Sequence, residues 1–257
     1  MTTQKRNARR RRGALPLLAG AGLLLALAML RWRLTREEIQ RHFWRPVYDR
    51  LSLWYDAVDW LTFGTTHRLR HHLLRHLPPH GARLLEVGFG SGRLHGELAH
   101  HYRMAGLDLA FGMARLTYRR LSRLGRRSHL CQGDMTRMPW RDNTFDAVIT
   151  TFALSAVPDA RRAVEEMARV TRPGGRVIIT DAGEAPDGNL VAHLLAKLWE
   201  FLGDYMRDET PIMHAAGLEV YREAFGPWKC IHTVVGVKPE PLESNHQGID
   251  PQAEHNG

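Results

Sequence analysis

Hydrophobic and polar positions divide the chain into stretches of different texture. Residues 13 to 30, GALPLLAGAGLLLALAML, carry no charge and follow the run KRNARRRR. As a helix, 18 residues at 1.5 Å each span roughly 27 Å, close to the lower limit for a bilayer core. Residues 13–32 are therefore expected to form a transmembrane or membrane-anchor helix behind a basic segment at 1–12. Arg31, Trp32, Arg33 and Arg36 stand where interfacial anchors belong. Next, Ile39, Phe43, Val47, Leu51, Trp54, Val58 and Leu61 recur at steps of four and three, a helical period with Pro46 as its break. Trp44, Tyr48, Tyr55 and Trp60 add an aromatic fringe. Residues 37–80 then read as a helical lid segment, over the sheet and its mouth or at the headgroup level. Within it, THRLRHHLLRHL pairs His67 with His71 and His72 with His76 at helical spacing. No acid or cysteine is close in sequence to complete a metal site, and Leu69, Leu73 and Leu77 form an ordinary packing stripe, so no metal is expected.

From residue 81 the period changes. Short apolar runs at 83–87, 105–109, about 128–132, 145–151 and in VIITD alternate with helical patterns, first over 91–102, with Leu94 and Leu98 facing inward. A later helix carries Ala163, Val164, Met167 and Val170; Asp159 is placed to cap it and Pro173-Gly174-Gly175 to stop it. Alternation of this kind builds an α/β domain around a parallel sheet, here over 81–238. The insertion NLVAHLLAKLWEFLGDYM is apolar over a broad helical face, with Leu190, Leu194, Leu198, Phe201 and Tyr205 flanked by Val191, Leu195 and Leu202. Such a face is either core or one wall of a greasy channel. Residues 239–257 have almost no apolar content and read as a disordered tail.

Charge changes the picture mainly at one end. The net charge is +9, yet residues 1–45 hold eleven Lys/Arg against Glu37 and Glu38, and the remainder balances at 25 basic and 25 acidic. Basicity confined to a terminus suits an anionic membrane surface, not a nucleic-acid face, which needs its basic stripe on the fold. Cys131 and Cys230 fall in no CxxC or Cys/His ligand spacing, the usage of small buried residues in a reducing compartment.

The chemistry concentrates in LLEVGFGSGR, residues 84 to 93. Strand, glycine turn and helix place a small ligand at the carboxyl edge of a parallel sheet, and glycines let main-chain N–H groups approach it closely. A dinucleotide fingerprint needs its third glycine at position 93, where Arg93 stands, and no GK[ST] follows to make a P-loop. Asp108 ends the second strand, where a carboxylate accepts from both ribose hydroxyls. After the third strand, Asp134 is placed to accept from an adenine amino group while Met135 packs on the ring face. The fourth strand, ending in Thr151, faces the ligand's reactive end.

The series LLEVGFGSGR, GLDLAFGMA, GDMTRMPWRDNTFDAVIT and VPDARRAVEEMARVTRPGGRVIITD closely resembles the class I S-adenosylmethionine-dependent methyltransferases, over roughly residues 48–238. Within them it is most similar to the branch of quinone-biosynthesis C-methyltransferases and small bacterial phospholipid N-methyltransferases, whose opening segment YDRLSLWYDAVDWLTFGTTHRLR also resembles. The resemblance implies a Rossmann-like, doubly wound, seven-stranded sheet with an antiparallel last strand; strands near 219–224 and 229–238 fit. It implies S-adenosylmethionine as cofactor, with Glu86, Gly88, Gly90 and Gly92 along its methionine and ribose part. Asp108 would hold the ribose, Leu109 lie beside the adenine, Asp134 and Met135 hold the adenine, and Thr151 sit near the methionine end. Many relatives carry histidine or asparagine where this chain has Phe152-Ala153-Leu154-Ser155, so no catalytic residue is assigned. His193, Tyr205 and His214, in the insertion, read first as structural.

A cofactor made and kept in the cytoplasm favours a retained anchor with the catalytic domain on the cytoplasmic side. The alternatives are a cleaved secretory signal, to which Ala26-Leu27-Ala28 lends a small-x-small site, and an organellar presequence. The anchor and the apolar insertion together point to a lipophilic acceptor, a phospholipid headgroup amine or an isoprenoid quinol. A soluble acceptor, a non-catalytic S-adenosylmethionine-binding protein and a dinucleotide oxidoreductase are the competing classes.

Overall fold

The computed structural model describes residues 35–46, 69–183, 188–201, 203–226 and 229–241. The basic segment and apolar span at 1–34, the aromatic fringe beyond Trp44 and nearly all of the tail lie outside the described residues. Among the described residues no helix is long and apolar enough to cross a membrane.

Seven strands form one sheet in the order β3-β2-β1-β4-β5-β7-β6. They are β1 (Arg83–Val87), β2 (Arg103–Asp108), β3 (His129–Gln132), β4 (Phe145–Thr151), β5 (Thr171–Ala182), β6 (Glu219–Phe225) and β7 (Ile231–Val237). The first five pair in parallel, and β7 runs antiparallel to both its neighbours. The expected doubly wound sheet with an antiparallel last strand is thus present. Its edges are the short β3 and the charge-bearing β6, where length and polarity discourage pairing with another chain.

Residues two apart in a strand share a face, and both faces here are covered by helices. Leu85, Val87, Val148, Val177, Ile179 and Val234 pack beneath α4 (Ala160–Val170), which contributes Ala163, Val164 and Met167, each without solvent exposure, and α6 (Thr210–Ala215). On the opposite face Leu84, Ile149, Ile178 and Val235 meet Leu94 and Leu98 of α2 (Arg93–Leu98), and Leu73 of a tight helical turn over His71–His76. Helix α3 (Phe111–Arg123) buries Met113, Thr117 and Leu121.

Three expectations are corrected. Helix α2 is half the predicted length, because left-handed Gly92 (φ 70°) delays its start to Arg93 and its last turn resolves at Ala99. Pro173-Gly174-Gly175 does not end α4, which stops at Val170; the three residues bulge within β5, where register shifts between Phe145↔Thr171 and Ala147↔Arg176. The apolar face of α5 (Leu190–Phe201) is neither core nor channel wall: Leu190, Val191, Leu194, Leu198, Trp199 and Phe201 are exposed while Ala192 and Ala196 are buried. The helix sits on the body by its small residues and turns its large ones outward. Asp159 does cap α4, accepting from Arg162 N–H at 2.9 Å.

Near the N-terminus, α1 (Arg36–Ile39) opens with a capping exchange, in which Thr35 N–H donates to Glu38 at 2.7 Å and Glu38 N–H to Thr35 Oγ1 at 3.2 Å. It continues into a wider-turned segment, Gln40–Trp44, whose Gln40 side chain donates to Gly203 O and Asp204 Oδ1, both at 3.1 Å. The lid segment is thereby fastened to the turn after α5.

Candidate functional site

The carboxyl ends of β1, β2 and β4 surround a cavity of about 460 Å³. Its wall is made first by the glycine turn. Gly88, Gly90 and Gly92 all have left-handed φ (70°, 53° and 70°), which side-chain-bearing residues adopt at a cost. A Cβ on Gly88 would fall 2.5 Å from Ala153 Cβ, and one on Gly92 2.4 Å from Thr117 Cγ2, whereas one on Gly90 would meet nothing within 4 Å. The three glycines therefore have different tasks. Gly88 lets the loop after β4 close over β1, Gly92 lets α3 close against α2, and Gly90 leaves bare main chain at the cavity. Gly92 lines neither the cavity nor the recess described below, contrary to expectation.

Asp108 is held by the turn itself. Its two carboxylate oxygens accept Gly90 N–H at 2.8 Å and Ala110 N–H at 2.9 Å, which fixes the acid against the cavity and pins the glycine turn to the end of β2. Leu109 lies on the cavity wall, with its carbonyl accepting from Gln132 Nε2 at 3.1 Å. Asp134 and Met135 reach the same cavity from the turn after β3. Both N–H and hydroxyl of Thr136 donate to Asp134 Oδ1 at 2.8 Å, leaving Oδ2 outside that turn, and Met135 packs against the core. This turn is braced from behind: Glu166 accepts Met138 N–H at 2.8 Å, and Arg169 donates to Trp140 O, Met138 O and Asp142. The Arg169 hydrogen bond, opposed by burial, holds the Glu166 carboxyl below its usual pKa.

A small recess shares Gly88, Gly90 and Phe152 with the cavity and is lined further by Glu86, Thr151 and Arg70. Glu86 is almost wholly buried and lies 2.9 Å from His95 Nδ1. Ser128 gives its hydroxyl proton to Met104 O at 2.8 Å and lies 2.8 Å from His95 Nε2. Glu86 thus shapes the recess while hydrogen-bonded to an imidazole.

Sequence reasoning missed the loop after β4. Phe152 has φ 52°, an outlier for a bulky residue, held by its N–H donating to Thr180 O at 2.8 Å. Ala153, Ala156 and Val157 follow on the cavity wall. Asp181 Oδ2 accepts Ser155 N–H at 2.9 Å and so anchors this loop from below; burial, then the charge of Glu209, raises its pKa to about 7. Glu209 in turn is hydrogen-bonded to buried His232. The signal available in sequence was the small Ala153, Ser155 and Ala156 interleaved with Phe152 and Leu154, which permits close approach but names no conformation. Arg70, buried, with its guanidinium 5.9 Å from the Phe152 ring centroid, and Gln40 of the lid also went unassigned. His193, Tyr205 and His214 line neither hollow.

The fit to S-adenosylmethionine rests on these features: a main-chain turn open at Gly90, a carboxylate fixed beside it, and a second carboxylate with a methionine across the cavity. Residues 85–179 match the family described as methyltransferase domain. Over that stretch the chain is similar to methyltransferase domains of the class I, S-adenosylmethionine-dependent kind. Its relatives include a phosphatidylethanolamine N-methyltransferase of Cereibacter sphaeroides, 34% identical over 125 residues, covering 48% of this chain and 62% of that one. A demethylmenaquinone methyltransferase of Paenarthrobacter aurescens is 31% identical over 163 residues, covering 61% and 58%. The chain therefore spans about three fifths of the length of these curated relatives. The fold is shared with phosphoethanolamine N-methyltransferase 2 of Haemonchus contortus, solved with S-adenosyl-L-methionine, at a TM-score of 0.64 and 17% identity, over 76% of this chain and 60% of that one.

Proposed function

We propose that the protein transfers the methyl group of S-adenosylmethionine to a lipophilic acceptor at a membrane surface, with the catalytic domain on the cytoplasmic side. The observation that carries this reading is α5, whose large apolar side chains face outward next to the site. The turn after it is tied to the lid through Gln40 and to the loop after β4 through Tyr205 N–H donating to Ser155 O at 2.7 Å. Six large apolar residues on one short helix form a patch of the kind that marks a membrane or partner surface. The uncharged stretch at 13–30 with its basic flanks adds a second membrane-directed feature. The relatives named for phosphatidylethanolamine and demethylmenaquinone, both lipids, support an acceptor of that class.

When bound, the cofactor supplies an electrophilic methyl carbon, so the protein's part is to bind, align and keep water out. Asp108 would accept from the ribose, Asp134 with Met135 would hold the adenine, and Leu109 would cover its edge. Glu86, Gly88, Gly90 and Thr151 would flank the methionine portion. Phe152 and Ala153 would bound the path along which the acceptor reaches the methyl group. This loop carries no imidazole, so no proton-accepting role is assigned to it.

The test is transfer of labelled methyl to vesicles containing phosphatidylethanolamine, and separately to vesicles containing demethylmenaquinone, with products resolved by mass. Label in one lipid product assigns the acceptor. Label confined to water-soluble acceptors, at a rate unaffected by deleting residues 1–36, would leave only the soluble-acceptor reading.

A further inference from the structure

The helical turn His71–His76 and edge strand β6 meet on the α2 side of the sheet, away from the glycine turn. His72 and His76, four residues apart, project their Nε2 atoms to the same carboxylate oxygen of Glu223, at 3.7 and 3.5 Å. One ligand atom from each of the three residues lies within 4.8 Å of the others. Sequence analysis dismissed a metal here for want of a nearby acid; the sheet supplies one from 147 residues further along the chain.

The other ring nitrogens are already engaged. His72 Nδ1 lies 3.2 Å from Thr233 Oγ1, which is itself 2.8 Å from Thr180 Oγ1, and His76 Nδ1 lies 3.1 Å from Tyr221 OH. His72 also stacks on Phe225 with ring centroids 3.6 Å apart. Both imidazoles are thus oriented by an outer shell of the kind that steers metal-binding histidines.

The spacing separates two readings. A hydrogen-bonded cluster would bring nitrogen and oxygen to about 2.7–3.2 Å. Ligands each about 2.0–2.1 Å from a tetrahedral zinc ion are about 3.4 Å from one another. The two nitrogen–oxygen separations, 3.7 and 3.5 Å, are closer to the second value, and His76 Nε2 is buried with no hydrogen-bond partner.

We propose that His72, His76 and Glu223 form a binding site for a zinc-class divalent ion, which staples the lid-side helical turn to β6. Two imidazoles and a carboxylate leave a fourth position for water, and the half-exposed Glu223 side chain gives the ion a way in. Arg75 is the competitor: its Nη1 lies 3.6 Å from the same Glu223 oxygen, on a side chain exposed enough to swing aside. The same turn follows directly on Arg70 in the recess, so the staple would fix one wall of the candidate active site.

The experiment uses the full chain, freed of metal with chelator and titrated with cobalt(II) alone, then zinc(II). One equivalent of cobalt giving the visible absorption of a four- or five-coordinate ion, bleached by zinc, is the expected result. Glu223→Gln, at a solvent-reached position, should lose affinity by about tenfold or more, and Arg75→Gln should gain it. Circular dichroism of the metal-free variants checks that both fold. No stoichiometric cobalt spectrum in the parent, or affinity unchanged by Glu223→Gln, would overturn the site.

Discussion

The two halves of the sheet's carboxyl edge are made in different ways. On the β1–β2–β3 side the cavity wall includes the glycine turn, and its carboxylates are gripped by backbone donors: Asp108 by Ala110 two residues on and by Gly90 eighteen residues back, Asp134 by Thr136 two residues on. On the β4–β5 side the wall is a loop of apolar residues held at a distance by side chains from other elements, among them Asp181. Beyond it, α5 shows its apolar face to solvent. One half is specified locally and suits an invariant ligand; the other is adjustable, as a half that must admit an acceptor needs to be.

The sharpest way to break this contrast is at the glycines. Gly88→Ala forces a contact of 2.5 Å with Ala153 at a left-handed position and is expected to destabilise the fold by about 3 kcal/mol or more, measured by denaturant unfolding. Gly90→Ala should cost only about 1 kcal/mol of backbone strain and show its effect as weaker S-adenosylmethionine binding. Equal losses of stability would deny the glycines their separate tasks. Asp108→Asn removes the charge that two N–H groups grip, and calorimetry is expected to show cofactor affinity falling about a hundredfold.

On the other half, Asp181 makes a pH prediction. Its carboxyl titrates at about 7 when folded against an ordinary 3.8, so the folded chain holds a proton there that the unfolded chain has released. The contribution is fully present below about 4 and is lost as pH rises through about 7, a fall of a few kcal/mol. Unfolding free energies measured across that window should flatten in Asp181→Asn; an unchanged slope would assign the pH dependence elsewhere. The smallest expected effect on stability is at α5. Leu194→Ser with Leu198→Ser should alter unfolding by less than about 0.5 kcal/mol, since both are exposed, while sharply reducing sedimentation with anionic vesicles. Undiminished vesicle binding by a chain also lacking residues 1–36 would count against a membrane role for this face.

The locally specified half was also the legible one. Period and glycine spacing located the first five strands, Asp108, Asp134 and the cap at Asp159, features decided largely by neighbouring residues; the last two strands followed from the family resemblance. What sequence did not reveal depends on partners far along the chain. The His95 ring is held between Glu86 and Ser128, and the fourth-strand loop by Asp181 and Thr180. The α5 face was misread for a related reason: periodicity shows that a helix has an apolar side, and only the packing of Ala192 and Ala196 decides that this side looks outward.

The position of β7 bears on how the protein is made. It occupies the gap between β5 and β6, pairing with both along their lengths, so until residues 231–237 have left the ribosome β5 has an open edge and β6 has no partner at all. A nascent chain in that state exposes a long, apolar, unpaired strand, the kind of surface that invites misassembly. Anything that stalls synthesis just short of this last strand should therefore leave an insoluble product, even though every residue facing the cavity has already been laid down.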